Sequence, residues 1–139
     1  MTVLHTPLWK QRRIVDPEHV LYVSRQAPIL RGLPAAPTDP NKPTPRRADA
    51  HHLPNYRLNR RHCDLFVVPF DREKHDWIAT EDGKRWERDN ILLLYRTASR
   101  YMYINGRISA AMFDEIQIAT EYKQLLEWID KIISTGGTP

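Results

Sequence analysis

Histidine and cysteine are concentrated in one short part of the chain, so a metal site has to be considered first. His51, His52, His62, Cys63 and His75 all fall within 25 positions. Structural zinc sites use two pairs of ligands, and the members of each pair stand a few residues apart. Here the paired residues are directly adjacent, and adjacent residues of an extended chain point in opposite directions. The sequence therefore predicts no metal site.

Cys63 is the residue best suited to nucleophilic catalysis, because Arg60 and Arg61 beside it would favour the thiolate. A working nucleophile also needs a base, a group that orients the base, and donors for the developing oxyanion. The sequence identifies none of these partners for Cys63. The five glycines form no phosphate-binding loop. We therefore predict no catalytic residue and no cofactor, and we expect the protein not to be an enzyme.

Arginine pairs with aromatic residues between them are the stronger chemical signal, and they lie in the first half of the chain. Arginine binds phosphate or carboxylate through a planar fork of donors, and aromatic rings can stack on unpaired bases. The pattern is that of a segment that contacts a backbone, since no recognised nucleic-acid module is present. The residues predicted to contact a partner are Trp9, Arg12, Arg13, Arg31, Pro34, Pro37, Pro40, Pro43, Arg46, Arg47, Tyr56, Arg57, Arg60 and Arg61.

The charge distribution supports a binding role for the first half. Residues 1–63 contain eleven Lys or Arg against four Asp or Glu, and residues 64–139 contain ten against thirteen. A basic front half indicates an acidic partner, which could be nucleic acid, an anionic lipid surface or acidic protein. The single cysteine excludes an intramolecular disulfide and favours a reducing intracellular compartment. No apolar run approaches the ~20 residues that a transmembrane helix needs.

Proline dominates the segment that carries these arginines. Pro34, Pro37, Pro40 and Pro43 stand three apart, and this spacing matches the three residues per turn of polyproline II. The density of proline excludes a helix or a sheet interior here. We expect a stiff, extended spacer, and Arg31 also begins a short +xxPxxP pattern of the kind that SH3 grooves bind.

The chain is expected to begin with an extended, basic, proline-rich arm over residues 1–63. Asp16-Pro17 is a typical helix start and predicts a short helix over 17–26. Beyond the arm, the apolar run at 64–68 predicts a strand. Asp82-Gly83 predicts a β-hairpin over 76–87, with Trp77 and Trp86 on one face.

The C-terminal part of the chain has the apolar spacing of helices. It predicts a helix over 90–105 that ends at Asn105-Gly106, and a second over 110–134 that is capped by Ser109. The short connection predicts an antiparallel helical hairpin. The fold class is therefore α+β: a small domain over 64–139, with about three short antiparallel strands and a long helical hairpin.

These expectations favour a non-catalytic, structural subunit of a large intracellular multi-protein assembly, in which the arm tethers neighbouring subunits. The basic composition and the excess of arginine over lysine favour a mitochondrial complex or a ribosome. One alternative is a small nucleic-acid-binding protein that uses its arginine pairs and aromatics. A virion structural protein is a second alternative, since such particles also use extended arms.

Overall fold

The computed structural model describes residues 14–29, 38–42, 45–54 and 63–135. The described residues form helices on both sides of a two-stranded antiparallel sheet, which confirms an α+β fold with a helical hairpin. In chain order the elements are α1 (Pro17–Ser24), β1 (Asp49–His52), β2 (Val67–Phe70), α2 (Arg72–Trp77), α3 (Glu81–Asp89), α4 (Ile91–Ile104), α5 (Ala110–Ile118) and α6 (Tyr122–Thr135).

The sheet accommodates a proline inside β2 because of its register. β1 and β2 pair with Ala50 opposite Pro69. The Leu53 amide donates to the Phe66 carbonyl at 2.7 Å, and ladder bonds alternate, so Ala50 and Pro69 form a non-hydrogen-bonded pair. The Pro69 carbonyl instead accepts from the amide of Ile29 at 2.9 Å. The missing N–H of Pro69 therefore removes no bond between the strands.

The predicted strand at 64–68 begins three residues too early. Residues 64–66 form a turn, in which the Phe66 amide donates to the Cys63 carbonyl at 3.2 Å. The strand continues through Pro69 to Phe70, because Pro69 needs no donor toward β1. All four residues of β2 are buried, which places it at the centre of the fold.

The predicted β-hairpin over 76–87 is wrong, and this segment forms the end of α2 and most of α3. Thr80 caps α3, and its hydroxyl accepts from the amide of Gly83 at 3.1 Å. Asp82 lies in the first turn, where the helix dipole favours an acid. The Asp82-Gly83 pair therefore lies in the first turn of a helix. Trp77 and Trp86 still become neighbours, with ring centroids 5.9 Å apart.

The helical hairpin is present, but its second arm is divided. Ser109 caps α5 as predicted, and Gly106 takes the left-handed conformation, with φ of 71°. The chain leaves the helix at Ala119, where ψ is 128°, and resumes as α6. On α6, Leu125, Ile129 and Ile132 are fully buried and pack in the main apolar cluster.

The described residues on the amino-terminal side of position 63 are part of the same core. Ile29 and Leu53 pack in the main apolar cluster with α4 and α6. Tyr22 and Val23 of α1 form a second cluster with Val67 and Tyr101. The interpretation of residues 1–63 as an arm apart from the domain is therefore wrong for these parts. The helix predicted over 17–26 is confirmed as α1, with Asp16 as its cap.

One part of the proline-rich segment is described, and it is not a rod. Asp39 begins a turn around Pro40 that closes with a 3.0 Å bond from the Lys42 amide to the Asp39 carbonyl. Thr38, just before it, is held by buried Gln26 through two bonds of 2.8 and 2.9 Å. Continuous polyproline II through Pro40 is therefore excluded. Pro34, Pro37 and Pro43 lie outside the described residues.

Candidate partner-binding groove

An open groove of about 520 Å³ runs along β1, between α1 on one side and α2 on the other. Alternation along β1 sends Ala50 toward α1 and Asp49 toward α2, so the two walls differ in chemistry. The residues that define the groove are Val20, Leu21, Arg46, Asp49, Ala50 and Arg72.

The α1 wall of the groove is largely apolar. Pro17, Val20, Leu21 and Ser24 recur at helical spacing and line it together. The opposite face of α1 is buried in the fold through residues such as Val23. Leu21 keeps 46% of its surface exposed. This wall therefore offers apolar surface to a ligand while the helix stays anchored from behind.

The opposite wall is organised around the carboxylate of Asp49. Arg46 Nη2 lies 2.9 Å from Asp49 Oδ1, and Arg72 Nη1 lies 3.6 Å from Oδ2. His75 Nδ1 lies 3.5 Å from the same Oδ2. The side chain of Asp49 is 17% exposed, whereas those of Arg46 and Arg72 are 67% and 76% exposed. The charge that this wall presents to solvent is therefore positive.

The end of the groove is closed by a network that anchors the start of α1. His52 Nε2 lies 2.8 Å from Asp64 Oδ1, and Asp64 Oδ2 accepts from the amide of Asp16 at 2.8 Å. Asp16 in turn accepts from Arg107 Nε at 2.6 Å. Burial acts to raise the pKa of Asp16, but hydrogen bonds from Arg107 and from the His19 amide outweigh it and leave that pKa below its ordinary value.

His51 lies on the other face of the sheet from His52, as adjacent strand residues should. Its Nε2 is 2.5 Å from Glu87 Oε2, and both side chains are almost completely buried. The ring stacks on Phe70 at 4.8 Å and meets His75 edge-on at 5.2 Å. This pair joins β1 to α3. Among the described residues no group of three or more His, Cys, Asp or Glu could hold a metal ion.

A second cavity of about 530 Å³ lies at α2. Lys74 and Trp77 line it, and the Lys74 ammonium lies 5.3 Å from the centroid of the Trp77 ring and 3.7 Å from that of Trp86 beside it. Burial lowers the pKa of Lys74, and the nearby Asp71 carboxylate opposes that shift. The aromatic surface there is occupied by the protein's own cation, so the groove along β1 is the better candidate for a ligand.

Of the residues predicted from the sequence to contact a partner, the described part of the chain contains three. Arg46 lines the groove, Arg47 is exposed just before β1, and Pro40 is exposed in its turn. The others lie outside the described residues: Trp9, Arg12, Arg13, Arg31, Pro34, Pro37, Pro43, Tyr56, Arg57, Arg60 and Arg61. Cys63 is buried at 3% exposure.

Sequence reasoning missed Asp49, Asp64 and Arg72. Asp49 and Arg72 stand 23 positions apart and meet only because β1 pairs with β2 and α2 follows directly. Asp64 reaches both His52 and the start of α1 for the same reason. Recognition of β1 as the partner strand of the apolar run at 65–68 would have been the signal, but β1 is four residues long and contains two histidines.

Comparison of the chain with protein-family models, with curated proteins and with solved structures finds no match. Within the described ranges, no helix combines the length and the apolar character that crossing a bilayer requires. The function is therefore argued from the groove itself.

Proposed function

We propose that this protein is a non-catalytic binding subunit of a larger intracellular assembly and that the groove along β1 holds a partner protein. The observation that carries the proposal is the pair of exposed guanidinium groups, Arg46 and Arg72, that share the single carboxylate of Asp49 opposite an apolar helix wall. Apolar surface with a charged rim is the arrangement that protein interfaces use.

The polar groups beneath the groove support a binding role over a catalytic one. His52 is paired with Asp64, and Asp64 also holds the Asp16 amide, so this network ties α1 to the strands. His51 and Glu87 tie β1 to α3 in the same way. In both pairs the carboxylate and the imidazole join separate elements of the fold. We propose that these groups keep the groove in shape.

The proposal for the kind of assembly rests on composition alone. The basic front half and the arginine excess favour a mitochondrial complex or a ribosome, and a virus particle is an alternative. Purification of the tagged chain under native conditions, followed by mass spectrometry with and without nuclease, tests the proposal. We expect partner proteins to co-purify with the chain both with and without nuclease treatment. Recovery of the chain alone in both samples would contradict a role as a subunit.

Nucleic-acid binding is a second candidate, favoured by the exposed arginines Arg46 and Arg72 of the groove and by exposed Arg47, which follows Arg46 in the chain. Contacts between arginine and phosphate weaken steeply as salt rises, with a slope set by the number of contacts. A salt titration of binding to single-stranded RNA and duplex DNA measures that slope. Partners that are lost on nuclease treatment would favour this candidate.

A further inference from the structure

We infer that the groove binds an extended, acidic segment of a partner protein, which pairs with the open edge of β1 at Ala50 and alternates apolar and acidic side chains. The inference rests on the proposed function and specifies its partner. It follows from three observations that concern the backbone of β1, the chemistry of the two walls and the charge at the rim.

The backbone of Ala50 faces the groove. Ala50 pairs with Pro69 at a non-hydrogen-bonded position, so its N–H and C=O point away from β2. Ala50 itself lines the groove. Within the described part of the chain, no backbone hydrogen bond to Ala50 is present on that side. An extended peptide that lies in the groove can satisfy both groups through one residue of its own, as in β-strand addition.

The two walls select alternating side chains. A strand beside β1 directs successive side chains to opposite faces of the sheet. One face is covered by Val20 and Leu21 of α1, which suits an apolar residue. The other face carries Arg46 and Arg72, which suit a carboxylate through their planar forks. An extended segment with apolar and acidic residues in alternation therefore matches both walls at once.

The charge at the rim identifies an acidic partner. Arg46 and Arg72 reach solvent, and among the described residues they have one partner carboxylate between them, on Asp49. The other carboxylate of the groove, Asp64, is buried and holds His52 and the Asp16 amide, so it does not neutralise the rim. A ligand carboxylate would complete the coordination of the two guanidinium groups.

The same geometry favours a peptide over nucleic acid. A phosphate backbone offers acceptors only, and it would leave the carbonyl of Ala50 without a donor while bringing anionic oxygens toward it. A peptide backbone supplies one donor and one acceptor at the required spacing. The apolar α1 wall, in which Leu21 is 46% exposed, also gives no favourable contact to a phosphate.

The test uses the full chain and a short capped peptide in which valine and glutamate alternate. Amide hydrogen exchange followed by NMR should show slower exchange at Ala50 when the peptide is added. We expect N-methylation of the peptide residue opposite Ala50 to weaken binding at least about tenfold, while N-methylation of its neighbour, whose amide points away, has little effect. This comparison changes the ligand alone, so the fold of the protein is not at risk.

A second arm removes the charges of the rim. The double variant Arg46→Ala/Arg72→Ala should weaken peptide binding at least about tenfold. The matched control, Lys84→Ala/Arg85→Ala, removes two exposed cations from α3, away from the groove, and should leave the affinity within about twofold. Unfolding of both variants is measured in parallel to show that each is folded.

The outcomes separate this inference from the proposed function. Partner proteins that co-purify, together with a peptide that leaves Ala50 exchange unchanged, would overturn the inference and leave the proposed function standing. Protection of Ala50 without peptide that grows with protein concentration would assign the edge to a second copy of the chain. Displacement of the peptide by single-stranded nucleic acid would assign the groove to that ligand. Either result overturns the inference.

Discussion

His51 Nε2 and Glu87 Oε2 lie 2.5 Å apart with side-chain exposures of 5% and 2%, and this contact joins β1 to α3 across 36 positions of sequence. Loss of either side chain would remove a short contact from a polar group that is almost completely buried, and such a loss costs free energy of folding. The contact therefore makes the position of β1, and of the groove beside it, dependent on α3.

Glu87→Ala is expected to destabilise the protein by about 3 kcal/mol, since it removes the carboxylate that contacts buried His51. Urea unfolding measures the change in the free energy of unfolding. Arg85→Ala, on the exposed side of the same helix, is the control and should stay within about 0.5 kcal/mol of the parent. A change of similar size in both variants would mean that the buried pair adds nothing specific.

His19 should make stability depend on pH between about 4 and 6.5. Burial lowers its pKa from 6.5 to about 4, although the Asp16 carboxylate opposes the shift. The unfolded chain therefore binds a proton in this range that the folded chain does not, so stability is full above the unfolded pKa and falls as the pH drops toward 4. The loss should approach about 3 kcal/mol for a shift of this size.

The measurement is a series of urea unfolding curves from pH 7.5 to 4 for the parent and for His19→Gln. The variant should flatten the pH dependence in this window, because glutamine does not titrate. NMR titration of the ring protons gives the pKa of His19 directly. A midpoint near 6.5 would contradict the prediction.

Gly83→Ala should destabilise the protein, although alanine normally favours a helix by about 1 kcal/mol over glycine. The added Cβ would lie 2.1 Å from the Trp77 carbonyl oxygen and 2.6 Å from the Cα of Ile78, and both are backbone atoms that cannot swing aside. Relieving the overlap requires α2 and α3 to separate, and we expect a cost of at least about 2 kcal/mol.

Gly106→Ala is the matched comparison for Gly83→Ala. Gly106 has a φ of 71° and no heavy atom within 4 Å of the added Cβ. Its cost should be limited to the left-handed backbone conformation, about 1 kcal/mol. Thermal unfolding of both variants shows which substitution destabilises the protein more. A Gly83→Ala variant that is more stable than the parent would contradict the close packing of α2 against α3.

Gln26→Ala should release the turn at Asp39 from α1. The buried amide of Gln26 binds the Thr38 amide at 2.8 Å, the Thr38 hydroxyl at 2.9 Å and the Tyr22 carbonyl at 2.9 Å. Loss of these bonds should cost about 2 kcal/mol and speed amide exchange at Thr38 and Lys42. Thr38→Ser keeps the hydroxyl and should leave exchange at Lys42 unchanged. Equal exchange in parent and Gln26→Ala would contradict the anchoring role.

The parts of the fold that could be predicted are those fixed by neighbouring residues. Asp16 and Ser109 each accept from an amide three residues on, and Gly106 takes a positive φ that few other residues adopt. Each signal is contained within a few positions. The predicted helix over 90–105 agrees with α4 to within one residue at either end, and Asn105-Gly106 marks its end locally.

The parts that failed depend on residues far apart in sequence. Asp82-Gly83 favours a hairpin locally. In the structure, however, glycine is required at position 83 because a Cβ there would overlap the Trp77 carbonyl oxygen. The break at Ala119 turns α6 so that Trp128 Nε1 donates to the Met112 carbonyl at 3.1 Å. The groove likewise needs Arg46 and Arg72 on one carboxylate, and no local pattern joins them.

Pro69 has a consequence for self-association. It offers no N–H on the side of β2 that faces away from β1, and its carbonyl on that side is already bonded to Ile29. A sheet can extend without limit into a fibril only if a further strand can pair with each of its two edges. Among the described residues the β1 edge is open at Ala50 and the β2 edge is closed at Pro69, so we expect strand addition to end after a single step.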